Sequence, residues 1–202
     1  MKYSVISFDM QGTLTDLSFS EEFWYETLPA LYAKNSGIPL SQAKKEIEEH
    51  SDELGKYNPE FYSLDYWIDR LRLKFTPDEL LKFVTRRPQL NEGWLPILKG
   101  LSGKAMLIVV SSAVRQFVDA ELGEHRALFA HTFSSIDDFG IAGKIPELYK
   151  KVSEKIGISA DRILHIGDDL EMDVKNSEAA GWTARYFDKS KPLSIVENIW
   201  KI

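Results

Sequence analysis

In the stretch VISFDMQGTLTD, residues 5–16, an apolar run delivers Asp9 into a turn that contains Gly12 and Thr13. A carboxylate leaving a strand into a glycine turn is a nucleophile presented to a phosphate, and the amides of Met10, Gln11 and Gly12 can cradle the anion. Further on, GDDLEMD gathers Asp168, Asp169, Glu171 and Asp173 into residues 167–173. Carboxylates brought near Asp9 repel it unless a cation joins them. An oxygen-only set suits Mg2+, which takes one or two carboxylates, keeps water and bridges to phosphate. Lys144 adds a point charge for Asp9 and for phosphate oxygens. Ser111, at the end of the run KAMLIVVSS, offers a hydroxyl to the same group, with Ser112 as the alternative. Gln11 is the discordant residue: it stands where a second, acid/base carboxylate is wanted, and an amide neither gives nor takes a proton at neutral pH.

Elements far apart in the chain must bring these groups together. The run at 104–112 is continuously apolar, as in a strand buried on both faces of a parallel sheet. Residues 3–9, RILHIG (162–167) and TARYF (183–187) read as further strands, and AHTFSS (130–135) as a weaker one. Helical segments lie between them. NEGWLPILKGL precedes the strand at 104, and VRQFVDAELG follows it, with Ser112 as N-cap and Gly123 at its end. PELYKKVSEKIG opens on Pro146 and stops at Gly157, and DVKNSEAAG stops at Gly181. This alternation predicts an α/β fold: an open, mostly parallel sheet with helices on both faces. In such sheets function collects at the C-terminal ends of the strands, where Asp9, Ser111, Lys144 and Asp168 all fall.

Residues 16–87 read differently, being helical in character and crowded with aromatics. They are expected to form an inserted helical cap with most of the aromatics in its own core, leaving 1–15 and 88–202 as a Rossmann-like core. Leu14–Leu17 and Arg86–Pro88 are the expected hinges. Asp137 and Asp138 read as a polar loop, Asp169 and Glu171 as capping or solvated acids, and His165 as a core residue within an apolar strand.

Composition narrows the function classes. With 44% hydrophobic and 28% charged residues the chain is that of a globular protein, and 202 residues suffice for one sizeable core plus a small module. The net charge of −6 provides no basic stripe for nucleic acid. There is no cysteine, which excludes disulfides, thiolate catalysis and thiolate metal sites. The chain enters a strand directly after Met1-Lys2-Tyr3 and holds no apolar run of spanning length, so no signal peptide, no membrane association and a cytoplasmic location are expected. A monomer is the default, since an inserted cap can close a pocket unaided.

Taken in order, D-x-x-G-T, an apolar strand ending in Ser, a Lys, and G-D-x-x-x-x-D resemble the haloacid dehalogenase (HAD) superfamily over most of the chain outside the insert. GKIPELY is similar to the family's Lys-Pro-x-Pro run with one residue missing, which leaves Lys144 as the matching lysine. The resemblance implies a Rossmann-like core with an inserted helical cap, a small phosphorylated substrate, and Asp9 as a nucleophile forming an aspartyl-phosphate. It also implies Mg2+ held by Asp9, the carbonyl of Gln11 and Asp168, with Asp173 in or near the metal shell. The family's hydrolases usually carry Asp where Gln11 stands, to protonate the leaving oxygen and then deprotonate water. Losing such a group lowers the rate about 10²- to 10⁴-fold, or roughly 3–5 kcal/mol of barrier. Three outcomes are open: preference for good leaving groups, slow release of the aspartyl-phosphate, or phosphoryl binding without turnover. A glutamine can also orient an attacking water, as in small GTPases. The metal-free dehalogenase branch generally has Tyr at this position, and the acidic pattern at Asp168–Asp169 makes it the lesser alternative.

Overall fold

The computed structural model describes residues 2–190. The chain divides into two compact units, Met1–Asp16 with Gln89–Ile202, and Leu17–Pro88. In the first unit, strands β1 (Val5–Phe8), β2 (Met106–Ser111), β3 (His131–Ser134), β4 (Ile163–Gly167) and β5 (Thr183–Tyr186) form one parallel sheet in the order β3-β2-β1-β4-β5. Every residue of β1 and of β4 is buried, because parallel strands are covered on both faces. Alternation then sorts their side chains. Val5, Ile108, Val110, Phe133 and Ile163 pack on one face with Leu148, Tyr149 and Val152. Phe8 turns to the other face and meets Trp94 and Phe129 edge-on at 5.3 and 6.2 Å.

The second unit holds helices α1 (Ser18–Glu22), α2 (Leu28–Ser36), α3 (Leu40–Leu54), α4 (Leu64–Arg70) and α5 (Pro77–Leu81), with a π-helical turn at Phe23–Thr27 joining α1 to α2. Phe19, Phe23 and Trp67 are buried in it, whereas Tyr25 and Tyr57 are exposed, so the aromatics there are not uniformly core. One acid ties its two ends together. Glu22 is buried, and its carboxylate accepts from Thr85 N, Thr85 Oγ1 and Arg86 N, each at 2.8 Å. The Thr85 amide, with the Arg86 amide and the Thr85 hydroxyl, holds its pKa below the ordinary carboxylate value against burial. Glu22→Ala strands these donors and is expected to destabilise the protein by about 1–3 kcal/mol at neutral pH. A depressed folded-state pKa means that the stabilisation is present above the ordinary value of 4.5 and is lost as pH falls below it. Unfolding curves of wild type and variant should therefore converge in acid; a constant gap down to pH 3 would exclude this role.

The remaining helices belong to the first unit: α6 (Trp94–Leu101), α7 (Arg115–Leu122), α8 (Ser135–Phe139), α9 (Pro146–Ile156) and α10 (Asn176–Ala179). Pro146 opens α9 and Gly157 closes it at φ 69, as its sequence predicts. Two local expectations are corrected. Ser112 does not cap α7, whose N-cap is Val114 with no side-chain hydrogen bond; strand pairing continues to Ser111, so residues 112–114 are spent on the turn. Asp137 and Asp138 lie in α8 rather than a loop. Ser134 Oγ accepts from the Asp137 amide, and both acids engage Arg115, Asp138 through its guanidinium and Asp137 through its amide at 2.6 Å. Among the described residues no helix is long and apolar enough to cross a membrane.

Candidate active site

Asp9 follows Phe8 at the C-terminal end of the central strand, pinned by its amide donating to Ile166 O at 2.8 Å. The alternation that buries Val5 and Ser7 toward α9 carries Asp9 to the same side, where it is 4% exposed. Lys144, just before α9 and 3% exposed, places Nζ 2.5 Å from Asp9 Oδ1 and also contacts Asp173 Oδ1. The Asn176 side chain donates to Lys144 O at 2.9 Å and fixes the lysine's backbone.

Asp173 projects from a second π-helical turn, Leu170–Lys175. Its Oδ2 accepts from the Asp169 amide at 3.0 Å and its Oδ1 from His165 Nε2 at 3.1 Å. An ionised carboxylate only accepts, so the His165 proton sits on Nε2 and the Ser7 hydroxyl donates to Nδ1 at 2.9 Å. His165 is thus a core residue, as its strand context predicts, and it also orients an acid of the site. Gly167 makes this packing possible: a Cβ there would lie 2.2 Å from Asp173 Cγ. Asp169 caps the π-helical turn through the amides of Glu171 and Met172.

Asp168 accepts from Thr13 Oγ1 at 3.2 Å and pairs with Lys189 Nζ at 2.8 Å. Gly12 runs alongside at φ +87, and a Cβ on it would stand 2.4 Å from Asp168 Oδ2. The turn residues act differently from expectation. The Gly12 amide donates to Thr15 O and the Thr13 amide to Met10 O, closing the turn on itself, which leaves an anion cradle to the amides of Met10 and Gln11. Thr13 O in turn accepts from Asn91 Nδ2 and Trp94 Nε1.

Asp9, Lys144, Asp168 and Asp173 therefore converge, and one oxygen from each of the three acids lies within 4.8 Å of the others. Burial pushes Asp9 up to about 8 against the pull of Lys144, with the charges of Asp173 and Asp168 adding to the rise. Burial alone would also raise Asp173 and lower Lys144. Their mutual attraction wins in both, leaving Asp173 well below and Lys144 well above the ordinary values. With Asp9 ionised, three carboxylates face two ammonium groups, Lys144 and Lys189, and one negative charge is left over. An octahedral Mg2+ with ~2.1 Å bonds separates its ligand oxygens by about 3 to 4.2 Å. This donor set, hard oxygens within 4.8 Å of one another that carry excess negative charge once Asp9 ionises, suits the ion.

Ser111 and Ser112 are not joined to the acids by any hydrogen bond among the described residues. Continuing the pairing of Phe8 with Val109 sets Ser111 one step beyond Asp9 on the adjacent strand. It is 2% exposed, and its Oγ accepts from the Ala113 amide, which leaves the hydroxyl proton to donate. Ser112 lies half-buried in the turn.

Gln11 has an unforeseen partner. Its Nε2 donates to Glu121 Oε1 at 2.5 Å, and Thr15 Oγ1 donates to Glu121 Oε2 at 2.8 Å. Glu121, on α7, is 3% exposed, and burial pushes its carboxyl up to about 7. A trace was present in the sequence: Glu121 falls one turn beyond Phe117 on the helix face that also buries Val118 and Leu122. Lys189 left no such trace, being one lysine among the polar residues after β5.

Residues 3–181 match the family model for hydrolases of the haloacid dehalogenase-like type. The GMP/IMP nucleotidase YrfG of Escherichia coli (strain K12) is 29% identical over 164 residues, 79% of this chain and 72% of its own. A HAD phosphatase from Thermococcus onnurineus shares the fold at a TM-score of 0.77 and 20% identity, over 94% of this chain and 87% of that one. The HAD hydrolase YfnB of Bacillus subtilis, determined bound to magnesium, matches at 0.65 and 20% identity over the whole of both chains.

Proposed function

Because the chain belongs to the haloacid dehalogenase-like hydrolases, we propose that it is a Mg2+-dependent phosphohydrolase that splits a small phosphate monoester through an aspartyl-phosphate on Asp9. The carrying observation is the meeting of Asp9, Asp168, Asp173 and Lys144 at one end of β1 and β4. Asp9, the Gln11 carbonyl and Asp168 would hold the ion, with Asp173 completing the acidic set while it orients Lys144. When bound, the ion offsets the charge of the phosphoryl oxygens and keeps Asp9 ionised.

Lys144, a hydroxyl from Ser111 or Ser112, and the amides after Asp9 hold the phosphoryl oxygens, with Gly12 and Thr13 shaping the turn that presents them. An Asp9 oxygen forms a bond to phosphorus as the bond to the leaving oxygen breaks. Gln11 has no proton to give. In a substrate monoanion the phosphate's own proton passes to the leaving oxygen, so that R–O–PO3H− and the Asp9 carboxylate become ROH and the dianionic aspartyl-phosphate. Water then attacks phosphorus, Asp9 leaves as a carboxylate, and the water proton remains on the phosphate product. Without an acid the first step favours leaving groups that tolerate negative charge.

The similarity to a GMP/IMP nucleotidase makes purine nucleoside monophosphates the first natural substrates to assay. We expect Mg2+-dependent phosphate release from GMP or IMP, and faster release from an aryl phosphate. Release no greater than that of an Asp9→Asn control would favour a phosphoryl-binding protein without turnover. Halide release from a haloacid that persists in EDTA would favour the dehalogenase reaction instead.

A further inference from the structure

Glu121 is the buried acid in this unit that phosphoryl transfer at Asp9 leaves unused. Burying a carboxylate is unfavourable unless its oxygens are engaged, and an apolar residue on the inner face of α7 would pack at less cost. Both of its oxygens are engaged, and both by the loop that carries the nucleophile: Oε1 by Gln11 Nε2 at 2.5 Å, and Oε2 by Thr15 Oγ1 at 2.8 Å. Thr15 Oγ1 also lies 3.3 Å from Met10 O, so the pair grips the turn immediately after Asp9.

Above about pH 7, where Glu121 is ionised, its carboxylate offers Gln11 only acceptors. Flipping the amide would set its carbonyl oxygen against Glu121 Oε1 at that same short distance, lone pair to lone pair. The –NH2 end is therefore held on α7, and Oε1 is the end left to accept a hydrogen bond elsewhere. From this geometry we propose that Glu121 is a positioning residue: it holds the Gln11 amide so that Gln11 Oε1 accepts a hydrogen bond from the water that splits the aspartyl-phosphate. The inference rests on the phosphohydrolase reading and refines its second step. The water oxygen bonds to phosphorus as the bond from phosphorus to Asp9 breaks, and the water proton goes to the departing phosphate. Gln11 exchanges no proton, and Glu121 touches neither water nor phosphate.

An aryl phosphate separates the two steps, since the phenolate leaves in the first and phosphate in the second. Glu121→Leu frees the Gln11 amide, and misplacing an orienting group lowers a rate on the order of 10²-fold. Steady-state kcat should fall by that factor, a burst of about one phenolate per enzyme should precede it, and KM should fall in proportion, leaving kcat/KM unchanged. Glu121→Gln, which keeps an oxygen for Gln11 Nε2 and turns its –NH2 to the Thr15 hydroxyl, should restore kcat. A merely structural role would lower the burst amplitude or kcat/KM and would not be rescued. Gln11→Met should show the same unchanged kcat/KM with reduced kcat, and this holds the inference to account should Glu121→Leu fail to fold. It is overturned by a Gln11→Met variant with wild-type kcat, by parallel losses in kcat and kcat/KM, or by Glu121→Gln being as slow as Glu121→Leu. A wild-type protein that releases phenolate but forms no phosphoenzyme overturns the covalent reading itself.

Discussion

Asp9→Asn is expected to remove phosphate release while leaving the protein folded. In covalent catalysis the nucleophile and its partners act as a unit, and deleting the nucleophile lowers kcat on the order of 10⁶-fold. An amide oxygen at this position cannot form the phosphoenzyme, whatever else in the site survives. The fold should tolerate the change well. Asn keeps an oxygen for Lys144 Nζ, and it removes an acid whose ionisation burial and the charges of Asp173 and Asp168 already oppose. Metal-free Asp9→Asn should therefore melt at or above the wild-type temperature, an exchange of activity for stability that strained sites commonly show. Residual turnover within a factor of ten of wild type, in a preparation free of wild-type protein, would remove Asp9 from the nucleophile's role.

Lys144→Met tests the electrostatics from the opposite side. Methionine retains most of the lysine stem and deletes only the ammonium, which leaves Asp9 and Asp173 buried with no cation between them. Breaking a buried pair by removing one partner destabilises by about 3–5 kcal/mol. For a chain of this size that is a drop in Tm of roughly 6–20 °C. Mg2+ should recover part of the loss, because an ion that binds only the folded state stabilises it by RT ln(1 + c/Kd), where c is the free Mg2+ concentration. The diagnostic comparison is the Mg2+-induced Tm shift, expected to be larger in Lys144→Met than in wild type. Equal shifts in the two proteins would mean that lysine and metal do not share the same carboxylates. Turnover should fall as well, by about 10²- to 10³-fold, as when one preorganised charge donor is lost from a transition state.

Much of this molecule is legible in local pattern. The apolar runs at 5–8, 106–111 and 163–167 become the three central strands, because a parallel strand covered on both faces admits little but apolar side chains. Pro146 and Gly157 bracket α9 because each acts through its own backbone: proline lacks an amide that the first turn does not use, and glycine accepts the left-handed conformation that ends the helix. The convergence of Asp9, Lys144, Asp168 and Asp173 follows from the same logic, since each stands just beyond a strand or at the head of a helix on the edge where parallel strands end. Strand ends placed Asp9, Lys144 and Asp168 on that edge, and the resemblance to the family's acidic motif added Asp173.

Side-chain pairing across the fold was not legible. Ser112 looks like a helix cap until the ladder is seen to run through Ser111, and Asp137 and Asp138 look like a loop until Arg115 is seen to face them. Glu121 and Gln11 are 110 residues apart and meet only because α7 packs its inner face beside the turn after β1. The sequence by itself determined the sheet, its reactive edge and the acids gathered there, because burial periodicity and backbone preference act over a few neighbouring residues. Which oxygen each donor reaches, and hence how the amide of Gln11 is turned, was decided by tertiary packing alone, because a hydrogen bond depends on directions and on tenths of an ångström that no local pattern encodes.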